Sequence, residues 1–333
     1  MHFDSGRATR THANLLKILA PVIASFVALG LATNARAGNP RLPADAQRGL
    51  EKMYGGDPDA AIVIFRGIQA AAPDEPIGFL LEGEAQWWKI YCASLDVKWG
   101  YVDAFKRSKQ PGDDIYLALA DKAISLASAK YAVDDSAEMR LYAGLGGALK
   151  VRYFGLQGDH IAAARTAVRA RQEFLRALQL DPQMTDADMG IGLYNYYVDT
   201  LSSVVRVLRF LMGLPGGSKQ EGIQQLETAI HGGGMVSAEA SFYLAKNLRT
   251  YDAQYGRAIE IVAPLVERYP RNPMFVLLLA NLNAEFGKSD KAAAGFKTAR
   301  DIAIADPACA ARTKQVASLY LSTIQRAATI PAP

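Results

Sequence analysis

The sequence is poor in the side chains that most often perform chemistry. It has two cysteines and four histidines, and two of those histidines, His2 and His12, lie within the first 37 residues. The other two, His160 and His231, have no cysteine, histidine or acidic residue at the spacing that metal ligands need. We interpret both as structural residues near helix ends, and we predict no metal site and no cofactor.

Common catalytic motifs are also absent from the sequence. It has no Gly-x-Ser-x-Gly, no complete phosphate-binding Gly-x-x-x-x-Gly-Lys-Ser/Thr loop and no His-Glu-x-x-His. The segment Gly190-Ile191-Gly192 is not a dinucleotide fingerprint, since no third glycine follows in register. We therefore predict that the protein is not an enzyme.

The first 37 residues have the order of a secretory signal peptide. Arg7, Arg10 and Lys17 precede an apolar run at 18–32, and a small-x-small pattern ends at Ala37. The run is shorter than the roughly 20 residues that cross a bilayer. We favour cleavage after Ala37 over an uncleaved anchor, and predict an exported bacterial protein that is periplasmic or secreted.

This segment also explains most of the positive charge. Residues 1–37 hold four Lys or Arg and one Asp, which is +3 of the total +4 and leaves about +1 for residues 38–333. So small a charge gives no support for a nucleic-acid partner. In the same region, Cys92 and Cys309 are far apart in sequence. We expect buried thiols there, although an oxidising compartment leaves a disulfide open.

Helical periodicity runs through nearly all of residues 43–328, including a helix that we predict at 97–109, and alternating strand patterns are not evident. A recurring pattern of a small, a large and a small apolar residue, spaced by four and three, is followed in most cases by a proline that ends the helix. It occurs at Ala61/Phe65/Ile68, Gly222/Leu226/Ala229, Ala170/Phe174/Ala177, Ala258/Val262/Leu265 and Ala292/Phe296/Ala299.

Ala258 and Ala292 are 34 residues apart, which is the length of a tetratricopeptide repeat. On these positions, residues 137–305 resemble the tetratricopeptide-repeat superfamily, without indicating a subfamily. The resemblance implies an all-α solenoid of helical hairpins with degenerate repeats, which we extend over 38–333 as a single domain. It also implies a non-catalytic scaffold for a protein or peptide, here in the periplasm or cell envelope.

Two sets of residues are candidates for binding. Aligning the last two repeats makes Asn247 and Asn281 equivalent, and their amides could pair with the backbone of an extended peptide in a shallow groove. Tyr243 and Tyr251 flank Asn247 on the same helix. The alternative is that both asparagines satisfy local backbone groups.

The second set is basic. Arg165 and Arg169 are one helical turn apart and could form an anion-binding patch, although a salt-bridged surface explains them equally simply.

Two other functions stay open. Val198, Leu201, Val205 and Leu208 form an apolar stripe that could contact a membrane surface in a peripheral or envelope-assembly factor. The segment that holds all three tryptophans, residues 87–101, could serve an unrecognised hydrolase or bind carbohydrate, although packing between helices explains it too.

Overall fold

The structure is a computed structural model. Gly38–Pro333 form one compact unit, of which the structure describes residues 38–200 and 215–329. The predicted signal peptide, Leu201, Val205 and Leu208 lie outside the described residues.

Thirteen helices and one β-hairpin make up most of the described chain. In order they are α1 Ala44–Tyr54, α2 Pro58–Ala71, α3 Pro76–Ala93, β1 Leu95–Lys98, β2 Tyr101–Ala104, α4 Asp113–Tyr131, α5 Ala137–Gln157, α6 His160–Leu180, α7 Asp186–Thr200, α8 Lys219–His231, α9 Ser237–Asp252, α10 Tyr255–Arg268, α11 Pro273–Glu285, α12 Ser289–Asp301 and α13 Pro307–Thr329.

The helices pack as successive hairpins. Each helix contacts the next one along the chain, and the first helices of neighbouring pairs (α1, α3, α5, α7, α9 and α11) also contact one another in turn. This is the packing of a helical-hairpin solenoid, so the predicted fold class is confirmed. Asp57 and Asp159 accept hydrogen bonds from the first turns of α2 and α6, which fixes where those two helices begin.

The small-large-small pattern marks the contacts within and between pairs. The Phe174 side chain on α6 is buried and lies against Gly144 of α5 and Gly190 of α7, where any β-carbon would collide with its ring. Phe65 and Phe296 are buried in the same way on α2 and α12. The large residue of the repeated pattern is therefore a core residue at all three positions.

One predicted helix is wrong. Residues 97–109 do not form a helix; β1 and β2 pair antiparallel within this region, with Val97 opposite Val102 and Lys98 opposite Tyr101. Trp99 and Gly100 form the two-residue turn, both with positive φ, of 50° and 80°. Leu95 and Val102 are buried, and the β-branched and aromatic residues around a Trp-Gly turn were the strand signal that helical periodicity hid.

The first helices close on one another instead of lining an open concave wall. The Trp88 ring on α3 lies 6.1 Å from Tyr54, 5.2 Å from Phe242 and 5.6 Å from Phe275, which belong to α1, α9 and α11. The Asn272 side chain donates to the Tyr54 carbonyl at 3.0 Å and joins the last helix pair to the first. Aromatic rings therefore fill the inner side of this part of the solenoid.

A disulfide reinforces this closure and corrects our expectation of buried thiols. Cys92 and Cys309 are bonded, with their Cα atoms 5.0 Å apart across a sequence separation of 217 residues. The bond joins the end of α3 to the start of α13. Sequence distance misled the prediction, because the closing of the solenoid brings the two helices together.

Candidate binding surface

The inner helices hold an extended strand of the protein's own chain. The Asn281 amide on α11 donates to the Gly100 carbonyl at 2.9 Å and accepts from the Val102 N–H at 3.3 Å. Arg249 on α9 donates to the Val102 carbonyl at 2.8 Å, and the Tyr320 hydroxyl donates to the Gly100 carbonyl. These side chains bind backbone groups, so they recognise an extended conformation more than a sequence.

A carboxylate on the same strand is held by two cations. Asp103 accepts from Lys246 and Arg249 at 3.3 Å each and from the Tyr91 hydroxyl at 2.5 Å. Burial pushes the pKa of Asp103 upward, but these partners outweigh burial and hold its pKa below the usual range. Arg249 is completely buried, so Asp103 supplies the negative charge that a buried guanidinium requires.

The structure brings the predicted asparagines to the inner side but does not expose them. Asn247 and Asn281 are both 0% exposed, and the Asn281 amide is engaged by the hairpin, Arg249 and Tyr320. Asn247 accepts a hydrogen bond from the Tyr197 hydroxyl at 2.8 Å, while its Nδ2 has no partner among the described residues. A shallow open groove at these two positions is therefore wrong, because the closed solenoid and the hairpin occupy the space that we assigned to a peptide.

The two predicted tyrosines lie in different environments. Tyr243 is buried, and its hydroxyl accepts a hydrogen bond from the Trp87 indole at 3.0 Å. Tyr251 is 50% exposed, and its ring lies 6.1 Å from the rings of Tyr196 and Tyr197. Of the predicted binding residues on α9, Tyr251 alone is open to a partner.

Arg165 and Arg169 are exposed on α6, and the described part of the chain gives neither an ion-pair partner. Other basic residues of that region are already paired, so the basic surface is smaller than the sequence suggested. Those pairs are Lys150 with Asp121, Arg152 with Glu84 and Glu239, and Arg176 with Asp135.

A buried ionic cluster connects three first helices, and sequence reasoning missed it. Arg152 on α5 donates to Glu84 on α3 at 2.6 Å and also to Glu239 on α9. Burial raises the pKa of Glu239 well above its usual range, with Arg152 opposing and the neighbouring Glu84 adding to the shift. Because Glu84 and Glu239 both bind Arg152, the two carboxyls lie close together, which favours a proton on one of them.

The Arg152 cluster has little access to solvent. The side chains of Arg152, Glu84 and Glu239 are 12%, 11% and 4% exposed. The chemistry of the cluster therefore fits the joining of helices better than the turnover of a substrate. Nothing in the sequence signals these contacts of Glu84, because Arg152 and Glu239 lie 68 and 155 positions away from it.

The tryptophan-rich region does not form one surface. Trp87 and Trp88 are buried core residues, and Trp99 alone is exposed. Within the described residues no group of three or more His, Cys, Asp and Glu could hold a metal ion. A surface pocket of about 280 Å³ lies where α1 meets the turn before α11, and Glu51, Asp57 and Arg271 are among its lining residues.

Comparisons with known proteins give architectural neighbours only. No protein-family model matches the chain, and no curated protein matches it significantly. Among solved structures, the chain is similar to the C-terminal part of a tetratricopeptide-repeat-containing protein from Cytophaga hutchinsonii, with 14% identity, TM-score 0.34, and coverage of 77% of this chain and 78% of that one.

Two further solved structures are similar. Human IFIT1, as a dimer with PPP-AAAA, has 15% identity and TM-score 0.43, and the match covers 86% of this chain but only 65% of IFIT1. Yeast Tom70 has 12% identity and TM-score 0.30, with coverage of 97% and 77%. Since these scores are low, the tetratricopeptide-like architecture is based on the helix pairs described above, and no function is transferred.

Proposed function

We propose that this protein is a non-catalytic scaffold that binds an extended segment of a protein partner through its first helices. The observation that carries the proposal is the binding of β2 by Asn281 and Arg249, which is a side-chain-to-backbone contact of the kind that a partner strand would use. The hairpin fills the position at Asn281. One repeat earlier, the Nδ2 atom of the equivalent Asn247 has no partner among the described residues.

A partner would reach the Asn247 position past Tyr197 and Tyr251. Tyr197 bonds the Asn247 amide oxygen, and the half-exposed Tyr251 ring lies beside Tyr197. Movement of these two rings would make the Asn247 Nδ2 donor accessible to a partner. A buried donor without a hydrogen bond is unfavourable by about 1–3 kcal/mol. The partner's backbone carbonyl would relieve that penalty.

The compartment is part of the same proposal. Cleavage after Ala37 would place the protein in the periplasm or outside the cell, where the Cys92–Cys309 disulfide would be stable. Arg165 and Arg169 are candidates for a second, anion-binding contact on the outer helix α6. The membrane stripe at Val198, Leu201, Val205 and Leu208 stays a prediction, since three of its four residues lie outside the described chain.

Site-specific photocrosslinking tests the scaffold function. A benzoylphenylalanine at Tyr251 should give a discrete protein adduct in extracts of the producing cell, because the half-exposed ring lies at the proposed entry. The matched control is the same photocrosslinker at Val63, which is 71% exposed on the outer helix α2. No adduct at position 251, or identical adducts at both positions, would contradict the proposal.

A further inference from the structure

The tip of the hairpin combines strain with exposure. Trp99 has φ +50° and is 84% exposed. Left-handed backbone is unfavourable for a bulky side chain, and the first position of such a two-residue turn usually holds Asn, Asp or Gly. A large apolar ring in solvent is a second unfavourable feature. Neither is explained by folding, because the ring contributes little to the core.

Two aromatic rings in this region each have a lysine over them, and one of the rings lies next to Trp99. The Phe105 ring is 5.9 Å from the Trp99 ring, and the Lys98 ammonium lies 4.8 Å from the centre of Phe105. Phe286 is 47% exposed, with the Lys288 ammonium 4.5 Å from its ring centre. We call these five residues the hairpin tip.

Phe286 is joined to the rest of the tip through its neighbours. A β-carbon on Gly100 would lie 3.3 Å from the Glu285 carboxylate, so the turn approaches the end of α11 where Phe286 follows. Phe286 also approaches Gly256, at the start of α10. The two aromatic–lysine pairs therefore belong to neighbouring segments, the exposed turn and the end of α11.

The charge of the tip is positive. Neither Lys98 nor Lys288 has a carboxylate partner among the described residues. Two acids lie nearby. Asp103 binds Lys246 and Arg249, and burial raises the pKa of Glu285 while Arg249 opposes that shift.

We propose that the hairpin tip inserts into the interface of an anionic lipid bilayer. Tryptophan is favoured at the level of lipid headgroups, where its ring is apolar and its N–H is hydrated. Lysines beside aromatic rings can lay their alkyl stems on the apolar surface and place their charges among anionic headgroups. A protruding turn suits a fluid interface, since it needs no complementary pocket.

Such contact is peripheral and is independent of strand binding. None of the helices in the described ranges is long and apolar enough to cross a bilayer. The hairpin tip also differs from the predicted apolar stripe at Val198 on α7, because its residues belong to the hairpin and to the end of α11.

Tryptophan fluorescence of the full chain is the test, because Trp87 and Trp88 are buried and Trp99 is the exposed one. The probes are vesicles of phosphatidylcholine alone and vesicles that also contain phosphatidylglycerol, each with and without brominated acyl chains. Anionic vesicles should shift the emission to the blue and brominated chains should quench it. Higher ionic strength should weaken both effects.

Trp99→Asn is the decisive variant, since Asn tolerates the left-handed turn and should keep the hairpin folded. It should abolish the emission change and weaken vesicle flotation by roughly tenfold or more, through loss of the buried aromatic area. Val133→Asn, at a site 91% exposed between α4 and α5, is the matched control and should leave both unchanged.

Three outcomes would overturn the proposal. One is the absence of an emission change with anionic vesicles in the unaltered protein. Another is flotation that Trp99→Asn leaves intact, which would assign membrane contact to another segment. The third is that the unaltered protein does not bind vesicles but self-associates, and that Trp99→Asn abolishes the self-association. The hairpin tip would then be a contact between protein chains. Each leaves the Tyr251 photocrosslinking result unaffected, so this inference and the scaffold function can fail separately.

Discussion

The first and second helices of each pair differ in how much of their surface they bury. On α9 ten of 16 residues are buried, whereas its partner α10 buries three of 14, and those three are Ala258, Val262 and Leu265. The second helices thus touch the protein along one narrow stripe. The first helices bury a larger share of their residues, and they carry most of the buried polar residues. The second helices therefore stabilise the fold through a repeated apolar stripe, and the first helices add individual polar contacts.

The largest loss of stability should come from a substitution on a second helix. Phe174→Ala should lower the free energy of unfolding by about 3–5 kcal/mol, because the ring fills the space between Gly144 and Gly190. Urea denaturation followed by circular dichroism measures this change. Gln172→Ala, at an exposed position on the same helix, should stay within about 0.5 kcal/mol. A loss below about 1 kcal/mol for Phe174→Ala would contradict the assigned stripe.

The next test separates two positions on first helices. Asn281→Ala should be destabilising by about 2–4 kcal/mol, because it leaves the Val102 N–H and part of the buried Arg249 guanidinium without partners. Asn247→Ala should be destabilising by only about 0–1 kcal/mol, since it removes one bond from Tyr197 together with a donor that had no partner.

Thermal melts of the two single variants measure this difference. Equal shifts in melting temperature for the two variants would mean that the contacts between Asn281 and the hairpin do not stabilise the protein. That result would count against the binding of an extended strand by the first helices.

The second helices could be predicted from sequence because their contacts repeat. The same small-large-small spacing recurs every 34 residues at Ala258 and Ala292, and it needs only a regular helix to place those residues on one face. The ends of the helices followed from ordinary signals such as Asp57 before Pro58 and the proline after α10.

The first helices could not be predicted in the same way, because their contacts are neither local nor repeated. Arg152 meets Glu84 and Glu239 only after the helix pairs from α3 to α9 have stacked, and Cys92 meets Cys309 only after the solenoid closes. The equivalence of Asn247 and Asn281 was visible in the sequence. Their burial was not, since it depends on a hairpin that helical periodicity concealed.

The smallest expected effect concerns a carboxylate at the start of a first helix. Asp186 on α7 is completely buried, accepts a hydrogen bond from the Met235 N–H at 3.1 Å, and has one oxygen without a partner in the described chain. Gly234 approaches it so closely that any β-carbon there would collide with that oxygen. Burial raises the pKa of Asp186 from 3.8 to about 6, although its backbone hydrogen bonds oppose the shift.

The sign of the pH dependence follows from this raised pKa. Between about pH 4 and 6 the folded protein holds more protons at Asp186 than the unfolded chain, so stability present below pH 4 is lost as the pH rises through 6. The loss is up to about 3 kcal/mol. Asp188 has its pKa raised to about 6 by partial burial and acts in the same direction, so a single variant is needed to isolate Asp186.

Asp186→Asn keeps the size of the side chain and an acceptor for Met235, but it cannot ionise. The difference in unfolding free energy between pH 4 and pH 7, measured by urea denaturation, should therefore shrink by about 1–3 kcal/mol in this variant. Asp45→Asn, at an exposed position on α1, should leave that difference unchanged. An unchanged difference in Asp186→Asn would show that the carboxyl ionises freely in the folded protein. Buried polar groups on the first helices would then not be the origin of its pH dependence.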